Sequence, residues 1–536
     1  MKGQVYDTDN FVTQIVNHAA YDDEYALLMV RTIMEMRDRN LRSENGVSFA
    51  ETYSLTKGIK VLGERGEKAA LDEVSQLHKR DCFEPIDPSK LTDEEREKVL
   101  ESLIFLTEKR DGHAKARTCV DGRKQRLWMD KDEAASPTIL LESVMLTSVI
   151  DAKEEREVAV ADIPNAFVQT EMEGEPVVMK IRGKLAELLV KVAPEVYKNF
   201  VVFEKGQKVV YVRLQKALYG MLKSALLFYK KLRKDLESIG FVVNPYDPCV
   251  ANLMQGGTQL TVGWHVDDLK MSHTKKEVID DFIEWLREKY EDEEIGKIKV
   301  SRGKQHEYIG MELDFSVKGE VQIKMLRYVE DMIKDFPFPD LIKKKMTSPA
   351  SEYLYKNDEN SPLLDSEKAQ VFHNVVAKGL FLCKRACPDI MTAIAFLCTR
   401  VQKPNQDDWK KLIRLLCYLN STKQLFVTLK ADTSNVIKWY GDASFAVHEN
   451  MKSHTGGMMT LGQGGVINIS RKQKLVSKSS MEAELIAADD LSNAIIWTNL
   501  FLEAQGYGSK DTVLMQDNKS CMLLHNNGKA SSSKHT

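Results

Sequence analysis

Long apolar runs are the first thing this chain lacks. No stretch of about 18 apolar residues occurs, so no membrane-spanning helix is expected. The start, Met1-Lys-Gly-Gln-Val-Tyr-Asp-Thr-Asp-Asn10, has no apolar signal core. Cysteine is sparse: eight residues are scattered through 536. The nearest pair, Cys383 and Cys387, has no zinc-ligand partners nearby. Reduced thiols of an intracellular protein are therefore expected, and a disulfide framework is not. An excess of one charge is missing too, since 76 Lys and Arg face 79 Asp and Glu for a formal net charge of −3. That balance gives no support to nucleic-acid binding, yet does not exclude it, because a basic channel needs no basic average. Acidic stretches such as Asp93-Glu-Glu-Arg-Glu97 offset basic ones such as Lys343-Lys-Lys345 and Arg471-Lys-Gln-Lys474.

What remains is ordinary globular material, 43% hydrophobic and 29% charged, enough for two to four domains. Its organising stretch is Leu260-Thr-Val-Gly-Trp-His-Val-Asp-Asp-Leu-Lys-Met271. β-Branched and aromatic residues lead into two adjacent acids, and apolar residues lead out, which reads as strand, tight turn, strand. Asp267 and Asp268 alone fit a surface turn as well as a cation site. A third acid, Asp162, ends another strand-like run, Val158-Ala-Val-Ala-Asp-Ile163. Three carboxylates on neighbouring strand ends can hold two divalent ions for phosphoryl transfer.

At this point the motifs become specific. Asp162-Ile-Pro-Asn-Ala-Phe167 resembles the first catalytic motif of copia-type retrotransposon reverse transcriptases, and His265-Val-Asp-Asp268 resembles their Tyr-Val-Asp-Asp box. Leu214-Gln-Lys-Ala-Leu-Tyr-Gly-Met221, lying between them, is similar to the family's Leu-x-Lys-Ala-Leu-Tyr-Gly segment. The resemblance covers about residues 110 to 536. It implies an α+β right-hand polymerase with palm, fingers and a thumb-like region, followed by an α/β ribonuclease H-like domain. Asp162, Asp267 and Asp268 would hold two Mg2+ ions, with Mn2+ as a substitute. Partners would be an RNA template, a DNA primer, the RNA–DNA hybrid and deoxynucleoside triphosphates, with no membrane. Dimerisation, or association with other polyprotein products, stays open. The family also implies a place in a cytoplasmic virus-like particle or the nucleus, and a role in transposition and DNA integration.

Upstream, residues 1–110 carry helical signals. Asp22 to Arg31 begins a mixed amphipathic run. Glu67 to His78 places Leu71, Val74 and Leu77 on one face. Thr92 and Glu95 fit a capping box. A helical packing extension is expected, which the resemblance makes a polyprotein junction without protease or integrase motifs. Next, Lys115-Ala-Arg117 and Asp121-Gly-Arg-Lys-Gln-Arg126 read as a basic loop, suited equally to solvent or to phosphate. In the family a Lys-Ala-Arg triplet opens the fingers, which makes Lys115 and Arg117 triphosphate candidates. Ser136-Pro-Thr138 precedes an apolar helix, Ile139 to Ile150. Phe167 read alone is core; by resemblance it stacks under the sugar and disfavours a 2′ hydroxyl. Tyr219, Gly220 and a following helix to about Leu236 should form nucleotide and template surface.

The chain departs from the family in two places. Lys223 replaces a usual Gln, and His265 replaces the usual Tyr. Neither removes a metal ligand, and His265 should line the site, because magnesium prefers oxygen. Thr274 and Glu277 fit a capping box for a helix to Tyr290. Glu307 to Asp314 reads as a short strand interrupted by Gly310, similar to a primer-holding hairpin. Residues 111–345 are taken as the polymerase, 346–430 as linker and helical connector, and 431–536 as ribonuclease H-like.

That last part shows strands at Val436–Asp442, Gly456–Leu461 and Val466–Ile469, a helix from Ser479 to Gln505, and a strand Thr512–Asp517. Gly441-Asp-Ala443, Ser479-Ser-Met-Glu-Ala-Glu484 and Gln516-Asp-Asn-Lys-Ser520 resemble the copia-type versions. Asp442, Glu484 and Asp517 would then hold two metals for hydrolysis of a phosphodiester. Glu482, two residues before Glu484, must point to a different side of the helix. The sequence stops within the Lys-His segment, so a fourth acid and a closing helix are expected to be missing and ribonuclease H activity weak or absent. Two rival readings remain: an inactive nucleic-acid-binding scaffold or decayed element copy, and a nuclease alone.

Overall fold

The computed structural model describes residues 52–108, 112–129, 134–292, 296–358 and 360–527. The expected run at Asp22–Arg31 and the final segment 528–536 lie outside them. The described residues open with β1 (Thr52–Ser54), α1 (Leu55–Leu62), α2 (Glu64–Lys79), β2 (Phe83–Ile86), α3 (Asp93–Lys98) and β3 (Leu100–Glu108). Helix α3 starts on the Thr92–Glu95 capping box, with both halves formed. β4 (Ala114–Val120), α4 (Leu141–Lys153), β5 (Glu157–Asp162), β6 (Val178–Arg182), α5 (Gly183–Val192), β7 (Val202–Glu204) and β8 (Gln207–Leu214) follow.

Seven of these strands form one sheet in the order β1-β3-β6-β8-β2, with β4 added to β3 and β7 to β8. This corrects two expectations. The segment before residue 110 is not simply a helical extension, because β2 and β3 join the sheet of the residues that follow. The Lys115–Arg117 segment is a strand, not a loop. Its alternation is strict: Lys115 and Arg117 are exposed, while Ala116 and Thr118 are buried. One strand partner of Leu100–Glu108, at 114–120, follows next in the chain and pairs antiparallel with it; the other, at 178–182, lies beyond any local pattern.

The central sheet adds α6 (Ser224–Ser238), β9 (Val242–Val243), β10 (Val250–Gln255), β11 (Thr258–His265), β12 (Asp268–His273), α7 (Lys276–Tyr290) and β13 (Lys299–Arg302). Its order is β13-β5-β12-β11-β10-β9, antiparallel throughout. Helices α6 and α7 cover one face, where Tyr229 stacks on Trp264 and Phe228 meets Tyr290. The other face is also covered. Helix α4 lies there, with Lys270 of β12 paired to Asp151. Ser143 to Ala152 are all buried, so α4 is enclosed on every side. The capping box expected at Thr274 does not form. Helix α7 starts at Lys276 without a side-chain cap, and Thr274 Oγ1 instead meets Thr258 Oγ1 at 2.8 Å.

β14 (Gln305–Tyr308) and β15 (Met311–Asp314) make a hairpin whose two turn residues, Ile309 and Gly310, have φ of +39° and +86°. That is the left-handed pair a tight two-residue turn requires. After β16 (Val321–Lys324) come α8 (Leu326–Lys334), α9 (Ser366–Cys383), α10 (Met391–Cys398) and α11 (Gln406–Ser421), then β17 (Val427–Ala431). β16 pairs with β17, so this sheet spans residues on both sides of the helical segment.

The last sheet contains β18 (Val436–Ser444), β19 (His454–Thr460), β21 (Ile467–Lys472) and β22 (Asp511–Met515); β20 (Gly462–Gln463) pairs with β17 instead. Its order is β21-β19-β18-β22, parallel only between β18 and β22. Helix α12 (Ser480–Ala504) crosses it, and α13 (Lys519–Asn527) follows. Gly457 lets α12 sit close, since a Cβ there would come within 2.3 Å of Leu491. One hydrophobic core runs from Ile139 to Leu502, and the amino-terminal sheet has its own. Among the described residues no helix is long and apolar enough to cross a membrane, and the eight cysteines form no disulfide.

Candidate active sites

Strands β11 and β12 close on the pair His265–Asp268, leaving Val266 and Asp267 as a two-residue turn. Val266 has φ of +57°, a left-handed value that costs a β-branched residue on the order of 1–3 kcal/mol. Asp268 lies opposite Asp162 across β12 and β5, and Ile163 N donates to the Asp267 carbonyl at 2.9 Å. Backbone register alone thus brings Asp162, Asp267 and Asp268 to one end of the sheet, all half-buried. On the other side of Asp162, Lys299 of β13 reaches its carboxylate at 3.5 Å. That lysine is 70% exposed, so the pair contributes little.

A second group of residues meets at Tyr219. Its carbonyl accepts from Val120 N at 2.7 Å, which draws its loop against β4. Gly220 makes the approach possible: its φ is +88°, and a Cβ there would lie 2.1 Å from the Val120 carbonyl oxygen. The Arg117 guanidinium sits 5.1 Å over the Tyr219 ring, and Phe167 meets that ring edge-on at 4.7 Å. Burial pushes the Tyr219 phenol up, with Asp267 adding to the shift and Arg117 opposing it. Arg117, Tyr219 and Phe167 therefore lie together beside the acid-bearing strand ends. Lys115 is two residues before Arg117 on the same strand face. His265 is pushed down to about 4, by burial first and then by Arg385. Lys223 occupies the N-cap position of α6.

The carboxy-terminal acids are closer together. Ligand atoms of Asp442, Glu484 and Asp517 all lie within 4.8 Å of one another, the one such trio of His, Cys, Asp or Glu among the described residues. Strand β18 supplies Asp442, the first turns of α12 supply Glu484, and the chain just past β22 supplies Asp517. Glu484 is buried and accepts from Gln516 Nε2 at 3.2 Å. Burial raises its carboxyl, Gln516 opposes that shift, and the two aspartates add to it. An all-carboxylate donor set with mutual repulsion suits a hard divalent cation. Glu482 is occupied elsewhere: its N–H donates to Ser479 Oγ and its carboxylate accepts from Lys478 N, which caps the helix.

Three residues near these sites carry no local sequence signal. Lys299 meets Asp162 only through strand register. Tyr308, fully buried, donates to the Gly263 carbonyl at 3.2 Å beneath the first site. Glu73, from α2, accepts from Thr118 N of β4.

Residues 97–349 match the family described as reverse transcriptase (RNA-dependent DNA polymerase). Across 472 residues the chain is 24% identical to the retrovirus-related Pol polyprotein from transposon TNT 1-94 of Nicotiana tabacum. The chain carries a copia-type reverse transcriptase domain. The tobacco alignment covers 86% of this chain and 33% of the relative. The Pol polyprotein from transposon RE2 of Arabidopsis thaliana is also 24% identical, over 72% of this chain and 24% of its own length. The chain thus spans a third or less of those two relatives. Among solved structures, a foamy viral protease–reverse transcriptase in complex with double-stranded DNA aligns at 12% identity and a TM-score of 0.42. It covers 98% of this chain and 78% of its own.

Proposed function

We propose that this chain is an RNA-directed DNA polymerase that adds deoxynucleotides to a primer 3′ hydroxyl on an RNA template. In this reading the central sheet is the palm, the amino-terminal sheet the fingers, and the segment after β16 a thumb-like region. Asp162, Asp267 and Asp268 would hold Mg2+, which when bound would activate the 3′ hydroxyl and stabilise the leaving pyrophosphate. Lys115 and Arg117 neutralise the triphosphate, and Phe167, braced by Tyr219, checks the sugar. One observation carries the reading: Asp162 faces Asp268 across β5 and β12, with Asp267 in the adjoining turn, next to the Arg117–Tyr219–Phe167 group. The test is magnesium-dependent primer extension on an RNA template by wild type and by Asp267→Asn plus Asp268→Asn. Extension that the double substitution abolishes supports it. Primer–template binding without extension by wild type would favour an inactive scaffold.

The tight trio favours a second activity on the same chain, hydrolysis of the RNA strand of a hybrid by Asp442, Glu484 and Asp517. Mg2+ binding there should raise Tm by a few degrees by mass action. Asp442→Asn or Asp517→Asn should remove most of that shift, together with cleavage of a labelled hybrid. A shift that both variants retain would argue against this second site.

A further inference from the structure

β4 pairs with β3 along one side, and on the other it has a single bridge among the described residues, Cys119 to Tyr219, so N–H groups on that edge need partners. Two consecutive outward groups are held. Val120 N donates to the Tyr219 carbonyl at 2.7 Å, and Thr118 N donates to Glu73 Oε1 at 2.8 Å. Glu73 comes from α2, which packs along β4 and lies before residues 97–349, the part that matches the reverse transcriptase family. The side chains of Lys115 and Arg117 project from this same strand. Arg117 sits over Tyr219, whose carbonyl holds the neighbouring N–H. Burial raises the Glu73 carboxyl, and its opposing influences are the Thr118 hydrogen bond and the charges of Lys115, Arg117 and Arg80. A half-buried carboxylate among three cations is thus spent on one backbone N–H, at the strand that carries two of those cations.

We propose that Glu73 is a positioning residue of the nucleotide site: its carboxylate grips the free edge of β4 and so holds Lys115 and Arg117 in place for the triphosphate. The proposal rests on the polymerase reading above. It makes α2, in the segment that precedes the matched domain, a working part of the site. Glu73 touches no substrate; it acts through the strand. A side chain that keeps an acceptor oxygen at this position should therefore serve, with or without charge.

Glu73→Ala, Glu73→Gln and Arg117→Ala, each in the full chain, are compared with wild type for the KM of a deoxynucleoside triphosphate, kcat at saturating triphosphate and primer–template Kd. Glu73→Ala is expected to raise KM about tenfold while kcat and primer–template Kd stay within about twofold. Glu73→Gln is expected to bring KM back to within about twofold of wild type. A fall in kcat and primer–template affinity alongside KM would make Glu73 a general support of the fold and overturn the proposal. So would a lower Tm with KM unchanged, or failure of Gln to restore KM. If Arg117→Ala raises KM and Glu73→Ala does not, the inference about Glu73 fails and the nucleotide site stands. If Arg117→Ala leaves KM unchanged, the nucleotide reading of this site fails and takes the proposal with it.

Discussion

The guanidinium of Arg156 donates to the hydroxyl of Tyr507 at 2.6 Å, across 351 residues of chain. Arg156 immediately precedes β5, which ends in Asp162. Tyr507 follows α12, which begins near Glu484. The same guanidinium donates to Thr261 on β11 and Ser272 on β12, and the Tyr507 hydroxyl donates on to Glu154 at 2.8 Å. Nearby, Gln505 is 1% exposed; its side chain accepts from Asn244 and its carbonyl accepts from Gln259. Trp497 Nε1 donates to the Tyr246 carbonyl. The end of α12 is therefore bound directly to the central sheet, and the two acid-bearing regions share one framework.

Tyr507→Phe should cost about 1–3 kcal/mol, because it leaves the buried Arg156 and the half-buried Glu154 each one hydrogen bond short. Arg156→Met should cost more, about 3–5 kcal/mol, since Asp151 and Glu154 lose their buried counter-charge. Urea denaturation measures both; equal midpoints for wild type and Arg156→Met would show that the contact does not hold the parts together.

Gly220→Ala places a methyl 2.1 Å from the Val120 carbonyl oxygen in a residue with φ of +88°. The neighbouring atom is backbone and cannot rotate away, so the Tyr219 loop must lift from β4. The expected result is a stability loss of about 2 kcal/mol or more. A triphosphate KM raised on the order of tenfold should accompany it, as Arg117 loses its ring. Thermal denaturation and steady-state kinetics check the two effects separately.

His448 and His454 lie beside Tyr355, with His448 Nε2 and His454 Nδ1 3.1 Å apart and His454 Nε2 on Ser470. Burial holds them down to about 4 and about 3; Lys472 adds to the shift of both, and His448 to that of His454. The unfolded chain takes up these protons near pH 6.5, and the folded chain does not. Stability present above pH 6.5 therefore falls as pH drops toward 4. Each histidine contributes a slope of up to about 1.4 kcal/mol per pH unit. Urea midpoints at pH 7 and pH 5 should lie further apart for wild type than for His448→Asn plus His454→Asn, the remaining gap coming from other buried histidines such as His265 and His373. An unchanged gap in the double variant would count against the pair as the source.

Much of the first site was legible because its residues lie in short motifs. The run from Leu260 to Met271 reads as strand, turn, strand from its β-branched and aromatic residues alone, and the observed hairpin turns at Val266 and Asp267. Resemblance to the family motif singles out Glu484, and helical spacing turns Glu482 to another side; the two side chains do meet different partners. The basic segment at Lys115 was misread as a loop because Gly112 and Asp121 flank it with turn chemistry, while its strand partner lies upstream in residues expected to be helical. Thr274 looked like a cap, but Thr258, on the facing strand, meets its hydroxyl.

The amino-acid order by itself determined that Asp162 ends a strand and that helices start on Thr92 and Ser479. These are properties of neighbouring residues: propensity, capping geometry and alternation act over a few positions. Only the tertiary structure decided that β3 takes β6 as a partner, that β16 meets β17 across about a hundred residues, and that Glu73 reaches Thr118. It alone decided that Arg156 finds Tyr507. Such contacts depend on which distant segments the cores bring together, and no local pattern specifies the far partner of a strand edge or of a buried charge.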